Sequence, residues 1–342
     1  MRAILCRELS GLDGLHLSEL PDPGAPGPGQ VRIRTAAAGL NFADLLISAG
    51  KYQVKLQPPF VPGFELAGTV EAVGDGVTRF KPGDRVMAIP EHGAFAEIVV
   101  TATDGVYPVP QGMSPIEAAG FPIAYGTSYL ALVEQARLQA GEILLVHGAA
   151  GGVGLTAVEI GKALGAQVIA TAGGADKCAV AGAHGADCTI DYKSPIESER
   201  DIRARVKALV AELSDGRKTG VDVVYDPVGG AVFDTSLRVV NWNARILVVG
   251  FAGGGVPQIP ANILLVKNVA ALGFYFGSWR RHRPDLVARG FDALAKLYEA
   301  RRLNPRVSQS FDLAEFRAGL ELVRDRKSTG KVVLRTAAAT ES

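Results

Sequence analysis

The sequence is poor in the residues that would hold a metal or a disulfide framework. Only three cysteines occur, Cys6, Cys178 and Cys188, and no two form a CxxC pair. That spacing offers neither a redox dithiol nor a zinc knuckle, and it fits free thiols in a reducing compartment. The five histidines are scattered, without HxH or HExxH, so no compact metal cluster is legible. Charge of one sign is missing as well: 36 basic and 35 acidic residues leave a net charge of +1. No overall field therefore selects nucleic acid or an anionic membrane, and any bound anion must be held locally. Long apolar runs are also absent. The stretch from Ala3 to Cys6 is too short for a signal-peptide core, and the one from Ala261 to Gly277 is broken by Lys267 and Asn268. The expectation is a soluble, cytoplasmic protein with no membrane or nucleic-acid partner.

What is plentiful is glycine, 41 residues, and a hydrophobic fraction of 48% over 342 residues. That length predicts two cores at roughly 150 residues per domain. From Val31 to about Val109, β-type runs (Val31 to Thr35, Ala67 to Val73, Asp84 to Ile89, Ala94 to Thr101) alternate with Gly/Pro turns, the pattern of a small barrel or sandwich. Helical spacing begins after Gly112, with a helix start at Ser114 to Glu117. From Glu142 onward, apolar runs alternate with helices: Ile143 to His147, Val168 to Thr171, Cys188 to Asp191, Val221 to Tyr225, Arg245 to Gly250 and Val269 to Phe276. Such alternation implies a parallel sheet wrapped by helices. The segment Pro284 to Leu334 reads as two amphipathic helices and a last strand, Lys331 to Leu334, that returns to the first domain.

The run Ile143 to His147 leads into GAAGGVG, Gly148 to Gly154, then an apolar-periodic helix and a second strand. Strand, glycine turn, helix and strand in one short unit predict a dinucleotide site, with Gly151, Gly152, Val153 and Gly154 as the pyrophosphate cradle. Ala149 stands where the first glycine of GxGxxG is usual, a departure expected to strain the turn. Where an NAD site carries a ribose-binding carboxylate, the second strand runs into Gly173 and Gly174, and Lys177 follows. A small, uncharged position followed by a cation favours the 2′-phosphate of NADPH; Asp176 is a nearby competitor.

The motifs NFADLLISAGKY (Asn41 to Tyr52), PFVPGFELAG (Pro59 to Gly68), AAGFPIAYGTSY (Ala118 to Tyr129), GAAGGVG, DPVGG (Asp226 to Gly230) and GKVVL (Gly330 to Leu334) together resemble the medium-chain dehydrogenase/reductase family over nearly the whole chain. The resemblance implies an α/β protein: a GroES-like, β-barrel-type substrate domain (1–125 and 268–342) and a central Rossmann domain with a doubly wound parallel sheet (126–267), with a cleft between them. Zinc members of the family take a cysteine near the position of Asn41 and a histidine from GHE, where this chain reads Gly63, Phe64, Glu65. Neither an amide nor a phenyl ring replaces those ligands, so no metal is expected.

Without zinc, the set looks like the quinone oxidoreductase branch. The activity implied is NADPH-dependent reduction of quinones or α,β-unsaturated carbonyl compounds by hydride from nicotinamide C4. By resemblance, Asn41, Tyr52 and Thr127 lie near nicotinamide and substrate, and Gly250, Phe251, Phe274 and Phe276 line the nicotinamide pocket. Lys177 and Tyr192 meet the adenosine phosphate, and a homodimer forms through the sheet edge near Val269 to Phe276. Structural alternatives stay open: Asn41 closes a turn, Tyr52 only packs, and Phe274 and Phe276 are sheet core. Glu65 and Asp226 are read as structural. Two rival functions are an enoyl-CoA reductase, suggested by Arg280, Arg281, His282 and Arg283, and a non-catalytic NADPH- or RNA-binding protein.

Overall fold

The structure, a computed structural model, describes residues 1–193 and 199–340. It divides into two compact units, 1–123 with 305–342 and 124–304.

In the first unit the strand Gln30–Leu40 organises a seven-stranded sheet. Its first half alternates, with Val31 and Ile33 buried and Arg34 exposed, whereas residues 36–40 are all buried. Pairing explains the change. Along one side the strand pairs with Leu66–Val73; along the other it pairs first with Ile98–Ala102 and then, beyond Ala37, with Lys331–Arg335. A register shift between Thr35 and Ala37 marks the exchange, as a bulge does where a strand bends to a new neighbour. The C-terminal strand thus completes this sheet. Two features were not legible: the hairpin Arg2–Cys6 with Leu15–Glu19, and the strand Val307–Asp312, which pairs parallel to the last strand and buries none of its residues. The helix Pro115–Gly120 starts where its capping box stands, Ser114 Oγ accepting from the Glu117 amide and Glu117 accepting from the Ser114 amide.

The second unit holds a six-stranded parallel sheet ordered Cys188–Asp191, Gln167–Ala172, Ile143–Val146, Val221–Asp226, Val240–Val248, Ala270–Gly273. Numbered within the unit this is 3-2-1-4-5-6, the doubly wound dinucleotide-binding order. The expected boundary at 268 is corrected: residues 268–304 belong to this unit. The reason is the pairing of Ala270–Gly273 with Val240–Val248, followed by the helices Phe276–His282 and Pro284–Glu299. The fifth strand also begins five residues earlier than expected, because Asn243 takes a positive φ of 62° and hides a strand start inside a polar, turn-like stretch. Among the described residues no helix is long and apolar enough to cross a membrane.

Candidate active site

The glycine turn of the second unit is built by sterics. The fully buried strand Ile143–Val146 ends at His147, and the chain turns at Gly148, whose φ is +58°. Gly148 and not Ala149 carries the left-handed backbone, so the alanine in the first fingerprint position needs no strain. Ala149 is buried, its amide donating to Thr171 O at 3.0 Å, and the Gly151 amide closes the turn on Gly148 O at 2.9 Å. Gly151 caps the helix Gly152–Ala163, so the first amides, at Gly152, Val153 and Gly154, have no carbonyl one turn back. A Cβ on Gly154 would lie 2.2 Å from Gly148 O. Only glycine lets the helix start press this closely on the turn. The arrangement fits a dinucleotide pyrophosphate: donors at a helix N-terminus above a turn that a side chain would fill.

Sequence reasoning missed two buried networks behind this turn. His147 bridges three elements, Nδ1 to Thr171 Oγ1 and Nε2 to Ser236 Oγ, both 2.8 Å, and burial holds its imidazole below the ordinary pKa. Ser128 Oγ meets Tyr225 Oη at 2.9 Å and Thr156 Oγ1 at 2.8 Å and donates to Val153 O, tying the helix Pro122–Leu130 to the glycine turn. Burial pushes the Tyr225 phenol well above its usual range. Scattered His, Ser and Tyr carry no motif, so only the fold brings them together.

At the end of the second strand, Gly174 has φ +107° and its amide donates to Asp191 Oδ1 at 2.7 Å, which also accepts from the Lys193 amide at 2.8 Å. A Cβ on Gly173 would meet Tyr192 Cε2 at 3.0 Å, Tyr192 Oη at 3.1 Å and Lys193 Cε at 3.1 Å. The structure therefore brings Gly173, Tyr192 and Lys193 together, and Lys193 is a cation that sequence reasoning overlooked. Lys177 is half-buried on the neighbouring helix Ala175–Ala183.

Asp226 builds the DPVGG loop, its Oδ1 accepting from the Val228 and Gly229 amides at 2.7 and 2.9 Å. Phe251 lies against that loop, 3.1 Å from where a Gly229 Cβ would stand, with its ring partly exposed; Gly250 borders Pro227. Phe274 is buried and stacks on Trp279 at 5.6 Å. Phe276 is buried against Gly126, beside the buried Thr127. Phe274 follows the strand Ala270–Gly273, and Phe276 opens the helix Phe276–His282. Of the basic cluster, Arg283 is engaged by Asp285 through two hydrogen bonds of 3.1 and 3.0 Å.

In the first unit Asn41 caps the helix Phe42–Ser48, its backbone N–H donating to Asp44 Oδ2 at 2.7 Å. Its side chain reaches a buried ion pair. Lys331 Nζ donates to Glu65 Oε1, Asn41 Oδ1 and Leu40 O at 2.7, 2.7 and 2.8 Å, while Asn41 Nδ2 donates to Glu65 Oε1 at 2.8 Å. Glu65 Oε2 accepts from the Ile123 amide at 2.8 Å. Asp44 is also buried, and its Oδ1 has no partner. Desolvation pushes its carboxyl up to about 8, with Glu65 adding to the rise and Lys331 opposing it. Tyr52 packs on Phe64 with centroids 5.4 Å apart, so the phenyl ring at the zinc-histidine position serves as an aromatic contact. Among the described residues no group of three or more His, Cys, Asp or Glu could hold a metal ion.

Comparison with known proteins matches both units. The model of the alcohol dehydrogenase GroES-like domain matches residues 27–111, and that of the zinc-binding dehydrogenase matches residues 152–290. The chain is 39% identical over 338 residues to the quinone oxidoreductase-like protein 2 homolog of Nematostella vectensis, covering 98% of this chain and 89% of that protein. The structure of Escherichia coli quinone oxidoreductase complexed with NADPH is similar with a TM-score of 0.85 and 27% identity, over 98% of this chain and 100% of that one. That of Thermus thermophilus quinone oxidoreductase, solved also with NADPH, gives 0.82 and 34% over 98% and 100%.

Proposed function

Because this chain belongs to the quinone oxidoreductase branch of the medium-chain dehydrogenase/reductase family, we propose that it reduces quinones or α,β-unsaturated carbonyl compounds with NADPH and without a metal. The observation that carries the cofactor choice is the loop after the second strand. No carboxylate stands at Gly173 or Gly174, and Tyr192 and Lys193 lie over Gly173. A hydroxyl and an ammonium there, with Lys177 one helical turn on, suit a 2′-phosphate; a ribose diol would call for a carboxylate. Gly151 to Gly154 would hold the pyrophosphate on helix amides, and Gly250 and Phe251 would border the nicotinamide.

When bound, the cofactor supplies the hydride, and the protein supplies orientation and a dry site. Asn41 and Tyr52 would donate hydrogen bonds to the substrate oxygen on which charge develops, and Thr127 would help place the nicotinamide. The test is cofactor titration of wild type and Lys177→Ala, together with turnover on a quinone, an enone and an enoyl-CoA. The expected result is turnover of quinone or enone and a loss of about tenfold in NADPH affinity in the variant, with NADH binding nearly unchanged. Equal losses for both cofactors would remove Lys177 from phosphate recognition. Turnover of the CoA thioester alone would favour the enoyl-CoA reductase, and no turnover at all the binding protein.

The same reading includes a cytoplasmic homodimer. Ala270–Gly273 is the sheet edge, and the helix Ala261–Lys267 before it buries no residue, leaving Leu265 and Val266 each 78% exposed. An open strand edge beside exposed aliphatic side chains is the kind of surface that a second copy covers.

A further inference from the structure

Behind Asn41 the first unit buries an ion pair and makes room for it with two glycines. A Cβ on Gly39 would fall 2.4 Å from Glu65 Oε1, and one on Gly120 would fall 3.0 Å from the Lys331 Cβ. Glu65 is fully buried and Lys331 nearly so. Desolvation offsets most of what such a pair contributes to stability, so its presence calls for a second reason. That reason lies in the donors and acceptors. An ammonium only donates and a carboxylate only accepts. With Lys331 Nζ on Asn41 Oδ1 at 2.7 Å and Glu65 Oε1 on Asn41 Nδ2 at 2.8 Å, a flipped amide would set NH2 against the ammonium and carbonyl against the carboxylate. Both contacts of the flipped state repel. Among the described residues the second hydrogen of Nδ2 has only Gly39 O, at 3.4 Å, near the outer limit of a hydrogen bond, and Asn41 is itself partly exposed.

We propose that Lys331 and Glu65 are positioning residues that fix the polarity of the Asn41 side-chain amide, leaving it one N–H to give at the reacting end while its carbonyl oxygen is held by the Lys331 ammonium and turned to the helix it caps. The inference rests on the reading that Asn41 meets the substrate. It deepens that reading by naming the substrate group that the amide meets: a hydrogen-bond acceptor, such as the carbonyl oxygen of a quinone or enone. The ion pair acts through Asn41, so removing it should matter only while Asn41 is present.

The experiment is a double-mutant cycle on the full chain, reading kcat and KM for a soluble quinone and the NADPH Kd in wild type, Asn41→Ala, Lys331→Met and the combination. Both single variants are expected to lower kcat by about tenfold with a smaller change in KM, as loss of an oriented donor does. NADPH Kd should stay as in wild type, and the combined variant should be no slower than Asn41→Ala. Because Lys331→Met strands a buried carboxylate, Glu65→Gln/Lys331→Met asks the same question without that charge, and it should be as slow as Asn41→Ala. If Asn41→Ala lowers kcat while the lysine variants that fold keep wild-type kcat, or if the losses multiply, the positioning role is overturned and the reading of Asn41 stands. If Asn41→Ala keeps wild-type kcat, the reading falls and the proposal with it.

Discussion

At Asp44 burial works against a hydrogen bond, and burial wins. The carboxyl accepts from the backbone N–H of Asn41 yet leaves Oδ1 without a partner, and its pKa rises to about 8 from an ordinary 3.8. Below about pH 4 both the folded and unfolded states hold this proton, and Asp44 contributes no pH dependence. Between about 4 and 8 the folded state keeps the proton that the unfolded state has lost, so stability falls as pH rises through that window. Asp44→Asn removes the titration and keeps an oxygen for the backbone N–H of Asn41. Relative to wild type, its Tm should therefore rise as pH goes from 5 to 8; denaturation scans at the two pH values check this, and a pH-independent difference would contradict it. The adenosine-end residues divide differently. Lys177 and the two glycines stand out in the sequence as a cation after a missing carboxylate, whereas Lys193 comes beside Gly173 only because the third strand ends next to the second.

Among the elements, the glycine turn and the helix behind it form one steric unit. The helix start rests on Gly148 O, and a methyl group at Gly154 has no room there. Gly154→Ala must push the helix off the turn, at a cost of about 1–3 kcal/mol for overpacking. The displaced amides would no longer converge on one anion, so NADPH affinity should fall by more than the about tenfold expected of one charged contact. Chemical denaturation and cofactor titration of this variant measure both effects, and unchanged NADPH affinity would show that the turn does not hold the cofactor. The periodic strands and the Ser114 capping box were legible because their signal is local. The strand Val307–Asp312 was not, since an edge strand that buries none of its residues lacks the apolar run that marks a buried one.

At the scale of the whole molecule, the open edge at Ala270–Gly273 and the exposed Leu265 and Val266 bear on assembly. Replacing both aliphatic residues with Asp leaves the fold of one chain intact, because neither is buried, and places charge on the face assigned to the second copy. Sedimentation should then show a dimer for the wild type and a monomer for Leu265→Asp/Val266→Asp. A wild-type monomer, or a variant that remains dimeric, would remove this face from the assembly.

The sequence by itself determined the family, the succession of strands in the parallel sheet and the glycine turn, because each depends on spacing along the chain: glycines at fixed offsets, apolar periods, and missing zinc ligands at motif positions. The edge strand near Val269 was legible in the sequence, but tertiary structure alone decided that the helices Phe276–His282 and Pro284–Glu299 stay with its unit before the chain returns to the first. It also decided what surrounds Asn41. Residues 41, 65 and 331 are far apart in the chain, and no local preference marks a lysine in a C-terminal strand as the partner of an N-terminal amide. Only the sheet, by pairing Gln30–Leu40 with both Leu66–Val73 and Lys331–Arg335, carries the ammonium, the carboxylate and the amide to within hydrogen-bond distance.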